Sequence, residues 1–117
     1  MPHIIVEYSE SLGLEVDMVQ TLGRLHNALA QNDAIDKERI KTRAIPINYS
    51  VVGNQPPNVG LMVHTTLLLL EGRDDLTKQD YAKPLHNILV EVFTARYPDC
   101  KVTLEVRDMK AGTYLMN

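Results

Sequence analysis

Leu25-His26-Asn27-Ala28-Leu29 returns later in the chain as Leu85-His86-Asn87-Ile88-Leu89, and this repetition decides the reading of the fold. Each copy sits inside a stretch of helical periodicity. Leu14, Met18, Leu22, Leu25 and Leu29 recur at helical spacing, with Glu15, Asp17, Gln20 and Arg24 off the stripe. That pattern predicts an amphipathic helix of about four to five turns, ended at Asn32-Asp33. Tyr81, Leu85, Ile88, Leu89, Val92 and Phe93 make the second stripe, with Asp75 as its N-cap and Pro98-Asp99 at its end. Pro84 inside this stripe either kinks the helix or shifts its start. The same register relates Lys41 to Lys101, near the start of the strand that follows each helix.

Strands flank both helices. His3 to Tyr8, with Ile4, Ile5 and Val6, reads as a buried strand that begins almost at the chain start. Arg39 to Tyr49 reads as a second strand, and Pro46 within it favours an edge position or a bulge. The run Gly53 to Gly60 (GNQPPNVG) is the strongest turn cluster. Leu61 to Leu70 is the most apolar stretch. Val102, Leu104 and Val106 alternate with Thr103, Glu105 and Arg107, as in a half-buried strand. The order is strand-helix-strand, turn, strand-helix-strand. Two right-handed β-α-β units give an α+β fold of two layers: one four-stranded sheet with both helices on one face. We expect a single domain over 1–117, with units of about 1–55 and 56–117. The strands are nearly continuous apolar runs, so the open face of the sheet is expected to be apolar and covered in an oligomer.

Composition excludes several classes. The 117 residues have a formal net charge of -3, which argues against a nucleic-acid or anionic-membrane binder. The start of the chain lacks the basic and apolar regions of a signal peptide, and Leu67 to Leu70 is too short to span a bilayer. With one cysteine, Cys100, no intrachain disulfide forms, which fits a cytoplasmic protein. His3, His26, His64 and His86 have no metal-type spacing, so no metal site is expected. His26 and His86, beside leucines in matching helices, read as structural. Gly-rich phosphate loops are absent.

Pro2 is the first candidate for chemistry. Removal of Met1 turns its nitrogen from a tertiary amide into a secondary amine. An apolar pocket and nearby positive charge lower the pKa of such an amine toward neutrality, where it suits proton shuttling.

Met1-Pro2-His3-Ile4-Ile5-Val6-Glu7 resembles the start of 5-carboxymethyl-2-hydroxymuconate isomerases, a branch of the tautomerase superfamily. Leu70-Glu71-Gly72-Arg73, with Asp75 and Lys78 after it, resembles the strand-to-helix junction of the short 4-oxalocrotonate tautomerases. Val102 to Met109 with Lys110, Ala111 and Gly112 resembles their final strand and tail. The resemblance covers nearly the whole chain. It implies a tautomerase-like β-α-β pseudo-repeat assembled as a homotrimer. It also implies a cofactor-independent isomerase of aromatic-compound catabolism. The substrate is then a small unsaturated 2-hydroxy or 2-oxo carboxylate, such as 5-carboxymethyl-2-hydroxymuconate.

The resemblance assigns roles as well. Pro2 is the base, and Arg73 holds a substrate carboxylate. Arg43 matches the second arginine of the short tautomerases, which polarises the keto or enol oxygen. Lys41 and Arg39 are fallback cations, since residues spaced by two share a sheet face. Without the resemblance, Arg73 reads as a turn arginine paired with Asp74 or Asp75, and the three cations as a charged edge strand. Counting back from Arg73 puts the counterpart of the catalytic proline at Val63, an internal residue, so each chain has one active site. Two other readings stay open: another promiscuous tautomerase of the phenylpyruvate type, and a non-catalytic oligomeric binding or signalling protein on the same scaffold.

Overall fold

The computed structural model describes residues 2–117. Strands β1 (His3–Ser9), β2 (Lys41–Ile47), β3 (Met62–Leu70) and β4 (Lys101–Met109) form one sheet in the order β2-β1-β3-β4. β1 runs parallel to β2 and antiparallel to β3, and β3 runs parallel to β4. Helices α1 (Met18–Ala30) and α2 (Asp75–Thr94) pack on one face and against each other. This is the two-layer architecture that the repeated LHN segments imply. Among the described residues, no helix is long and apolar enough to cross a membrane.

The core follows from period-two strands facing period-four stripes. Ile4 and Val6 of β1 and Val63, Leu67 and Leu69 of β3 are fully buried. Leu25 and Leu29 of α1 meet them, as do Leu85, Leu89 and Phe93 of α2. The repeated leucines thus occupy matching core positions. The repeated histidines tie each helix to its following strand. His26 Nδ1 lies 2.8 Å from Thr42 Oγ1, and His86 Nε2 donates to the Val102 carbonyl at 3.1 Å.

Both helix starts differ from the sequence reading, for one reason. Four backbone N–H groups at a helix start need partners, and a nearby carboxylate decides where the helix begins. The first helix begins at Met18, because Asp17 accepts from the Gln20 N–H at 3.0 Å. Leu14 ends a separate 3-10 turn, Glu10–Leu14, and is 87% exposed. The second helix is capped by Asp74, not Asp75, through the Thr77 N–H at 2.9 Å. Pro84 leaves that helix continuous and its start unshifted. The residue is exposed, as is Asp80, whose carbonyl a proline at 84 leaves without its usual helical donor.

The open face is not simply apolar. Ile5, Met62, Leu68 and Leu70 are half-buried there. Beside them His64 Nε2 lies 2.6 Å from Glu105 Oε2, and Arg107 Nε donates to Glu105 Oε1 at 2.6 Å. The Arg107 and His64 contacts hold the Glu105 carboxyl below the usual carboxylate range. Pro46 lies in edge strand β2, where its missing N–H costs the sheet least.

The register also moves one correspondence. The Lys41 N–H donates to the Pro2 carbonyl and the Lys101 N–H to the Leu61 carbonyl, both at 3.0 Å. The structural counterpart of Pro2 is therefore Leu61, not Val63.

Leu25→Ala and Leu85→Ala remove fully buried side chains at matching positions. Each should cost about 2–5 kcal/mol in urea unfolding. A loss below about 1 kcal/mol at either position would contradict this core.

Candidate active site

Pro2 is positioned by its place before a central strand. β1 has a neighbour on each side, so the residue before it is buried rather than frayed. The antiparallel partner β3 ends where β1 begins, with His3 opposite Leu68. This brings Leu70 and the turn after it to Pro2. The parallel partner β2 begins beside His3, opposite Lys41, and so delivers the loop between α1 and β2. Together they enclose a cavity of about 300 Å³ lined by Pro2, Ala34, Ile35, Asp36, Arg39, Leu70 and Arg73.

Gly72 makes the turn into this cavity. Its φ of +121° is a conformation that side chains rarely adopt. Arg73 follows at once. Its guanidinium lies 5.6 Å from the centre of the Tyr81 ring, and Nη1 donates to the Leu70 carbonyl at 3.3 Å. The Asp74 carboxylate is engaged with the Thr77 N–H, which pulls it below the usual range. Arg73 is therefore held by a ring and a carbonyl, and no ion pair with Asp74 or Asp75 takes its charge. On the opposite wall Arg39 Nε lies 3.5 Å from Asp36 Oδ2. Ala34, Ile35 and Leu70 supply apolar lining.

The sequence candidates divide into two groups. Pro2 and Arg73 meet in the cavity. Arg39, the fallback cation, joins them, because it lies in a 3-10 turn (Lys37–Arg39) before β2 and escapes the strand alternation. Lys41 and Arg43 project from the open face of their own chain and do not line its cavity. Lys41 Nζ reaches the Arg39 carbonyl at 3.5 Å. Ala34, Ile35 and Asp36 carry no motif and were missed. The available signal was topological, because a parallel β-α-β unit must return its loop to the start of the first strand.

Arg43 is held by His3. Its Nη1 lies 3.0 Å from His3 Nδ1, while His3 Nε2 lies 2.8 Å from Tyr114 Oη. A guanidinium has only donors. His3 Nδ1 therefore accepts, and the proton sits on Nε2, shared with Tyr114. Burial pushes the imidazole below its ordinary value, and the charges of Arg43 and Lys41 push it further down. His3 is thus neutral at neutral pH.

The family model for 5-carboxymethyl-2-hydroxymuconate isomerase matches residues 2–117. No curated protein matches by sequence. Among solved structures, a 5-carboxymethyl-2-hydroxymuconate delta-isomerase superposes with a TM-score of 0.83 at 14% identity, covering 100% of this chain and 87% of that one. A 5-carboxymethyl-2-hydroxymuconate isomerase from Deinococcus radiodurans R1 gives 0.79 at 24% identity, covering 99% and 89%. An asymmetric trimer of a wild-type fused 4-OT gives 0.72 at 15% identity, covering 98% and 92%. These structures share the fold of this chain.

A lowered folded-state pKa fixes a sign. The His3 contacts contribute fully above the ordinary histidine value of about 6.5 and are lost as pH falls through the lowered one. NMR of the ring nitrogens should show a neutral Nε2–H tautomer that titrates below its unfolded-peptide value. Titration at or above that value would contradict the Arg43 contact.

Proposed function

This chain belongs to the 5-carboxymethyl-2-hydroxymuconate isomerase family and is an isomerase. On that premise, we propose that it moves a proton within a small unsaturated 2-hydroxy or 2-oxo dicarboxylate, such as 5-carboxymethyl-2-hydroxymuconate. The base is the amine of Pro2, freed by removal of Met1.

One observation carries the reading: Pro2, Arg39 and Arg73 line one cavity, with apolar residues around them. A space of about 300 Å³ suits a small acid. Two guanidiniums against the single Asp36 carboxylate give it a positive balance. Positive charge and apolar walls both disfavour a protonated amine, so the Pro2 nitrogen is poised to accept a proton.

The mechanism follows from these groups. Arg73 grips one substrate carboxylate through parallel N–H···O bonds, its plane fixed over Tyr81. Pro2 takes the proton of the 2-hydroxyl group. Electron density moves through the conjugated system, and the same nitrogen returns a proton at a distant carbon. The proton taken equals the proton returned, so the reaction consumes no cofactor. Arg39 stabilises negative charge that develops on oxygen, an effect worth a few kcal/mol per donor. Arg43 and Lys41 point away from their own cavity. In a homotrimer of this chain, a state suggested by the trimer of the fused 4-OT, they serve the Pro2 site of a neighbouring copy. A cytoplasmic location goes with this reading, as Cys100 is a free, buried thiol.

Intact and peptide mass spectrometry with 3-bromopyruvate tests the base. The expected result is a chain without Met1 carrying one adduct on Pro2 as activity is lost. Labelling of Cys100 alone, with activity lost, would contradict it. Arg73→Ala tests the anchor. Lost charge-assisted hydrogen bonds of about 1.5–3 kcal/mol predict a KM raised about 10- to 100-fold. An unchanged KM would remove the anchoring role.

A further inference from the structure

A larger cavity, about 640 Å³, lies at the opposite end of the sheet. Its Leu61 and the loop after α2 stand where Pro2 and the loop after α1 stand in the first unit, whereas its other wall comes from the turn before β3 and not from a counterpart of Leu70 and Arg73. The two share a backbone signature. The first residue of the closing strand donates to the residue before the opening strand, Lys41 to Pro2 and Lys101 to Leu61. The loop after α1 lines the first cavity, and the loop after α2 lines the second.

The charges correspond as well, although they come from different positions. The Pro2 cavity has Arg39, Arg73 and Asp36, whereas the second has Arg96, Lys101 and Asp99. Each lining thus has two cations and one carboxylate, and in the second the Arg96 charge is also paired with Glu15, leaving Lys101 as the other cation. Arg96 spends one donor on Glu15, with Nη1 2.9 Å from Oε2, and a guanidinium has five. Val52, Leu61 and Tyr97 give the second cavity an apolar wall. What differs is the nitrogen. Leu61 is internal, so its nitrogen is an amide and cannot accept a proton.

We infer that this second cavity is a non-catalytic binding site for a small carboxylate with an apolar body. Arg96 and Lys101 take the carboxylate group, and Val52, Leu61 and Tyr97 cover the carbon skeleton. The choice of ligand class rests on the reading of the Pro2 cavity, whereas the site itself rests on the repeat. The acid binds here without turnover, so the chain holds two equivalents and isomerises one.

Calorimetric titration with hexa-2,4-dienedioate tests this. That acid has two carboxylates but no 2-hydroxyl or 2-oxo group, so it does not tautomerise. The parent should bind two equivalents per chain. Arg96→Ala/Lys101→Ala should bind one and keep the parent's kcat and KM, and Arg73→Ala should also bind one. Lys101→Gln alone should weaken only one of the two equivalents. One equivalent in the parent, untouched by the double variant, would overturn the second site. That is also the result if a neighbouring copy fills the cavity. If the double variant loses an equivalent and Arg73→Ala does not, the second site stands and the Pro2 reading falls.

Discussion

The antiparallel pairing of β1 with β3 at the centre of the sheet is the constraint on which the rest depends. It relates two parallel β-α-β units by an approximate twofold and puts the start of each opening strand beside the end of the other. A strand that begins at His3 and has partners on both sides buries the residue before it. Catalysis by a chain terminus needs such an arrangement, because a frayed end samples many conformations and holds no geometry. Fixing one residue costs about 1–2 kcal/mol of backbone entropy. Here the pairing of β1 with a strand on each side offsets that cost for the residue before it.

The same pairing explains why the cations fall into two sets. Arg73 follows β3 and Arg39 precedes β2, and both are brought to Pro2 by strand ends rather than by strand faces. Lys41 and Arg43 are strand residues and take the orientation of the pleat, outward from the open face. His3 sits at the boundary. Its backbone continues from Pro2, and its ring holds Arg43 on one side and Tyr114 on the other. The placement of Arg43, which the proposed mechanism assigns to a neighbouring copy, is thus tied to the residue adjacent to the proposed base.

Much of this was legible in the residues. The repeated Leu-His-Asn segments, the period-two strands and the GNQPPNVG turn imply the element order and the two layers. The remainder depends on contacts that no periodicity encodes. Leu14 continues the apolar stripe of α1, yet the Asp17 carboxylate starts the helix a turn later. Arg39, Lys41 and Arg43 alternate on paper, but the 3-10 turn at Lys37–Arg39 rotates Arg39 out of that alternation. The open face was expected to be apolar, although Glu105 and Arg107 alternate with the apolar residues of β4; what the one-dimensional pattern does not show is that Glu105 pairs with Arg107 on its own strand and with His64 across to β3. At the site, Pro2 and Arg73 were visible through resemblance to a family. Ile35 and Asp36 were not, since a loop that lines a cavity needs no motif to do so.

The proposed chemistry depends on the state of one nitrogen. ¹⁵N NMR titration of Pro2 in the purified protein, set beside the pH dependence of kcat/KM, tests it most directly. The expected result is a secondary amine that titrates below the ordinary α-amine range of roughly 7.7 to 8.0, with the acidic limb of kcat/KM at the same pH. An amide resonance that does not titrate in an active protein, or an acidic limb far from the titration of Pro2, would contradict it.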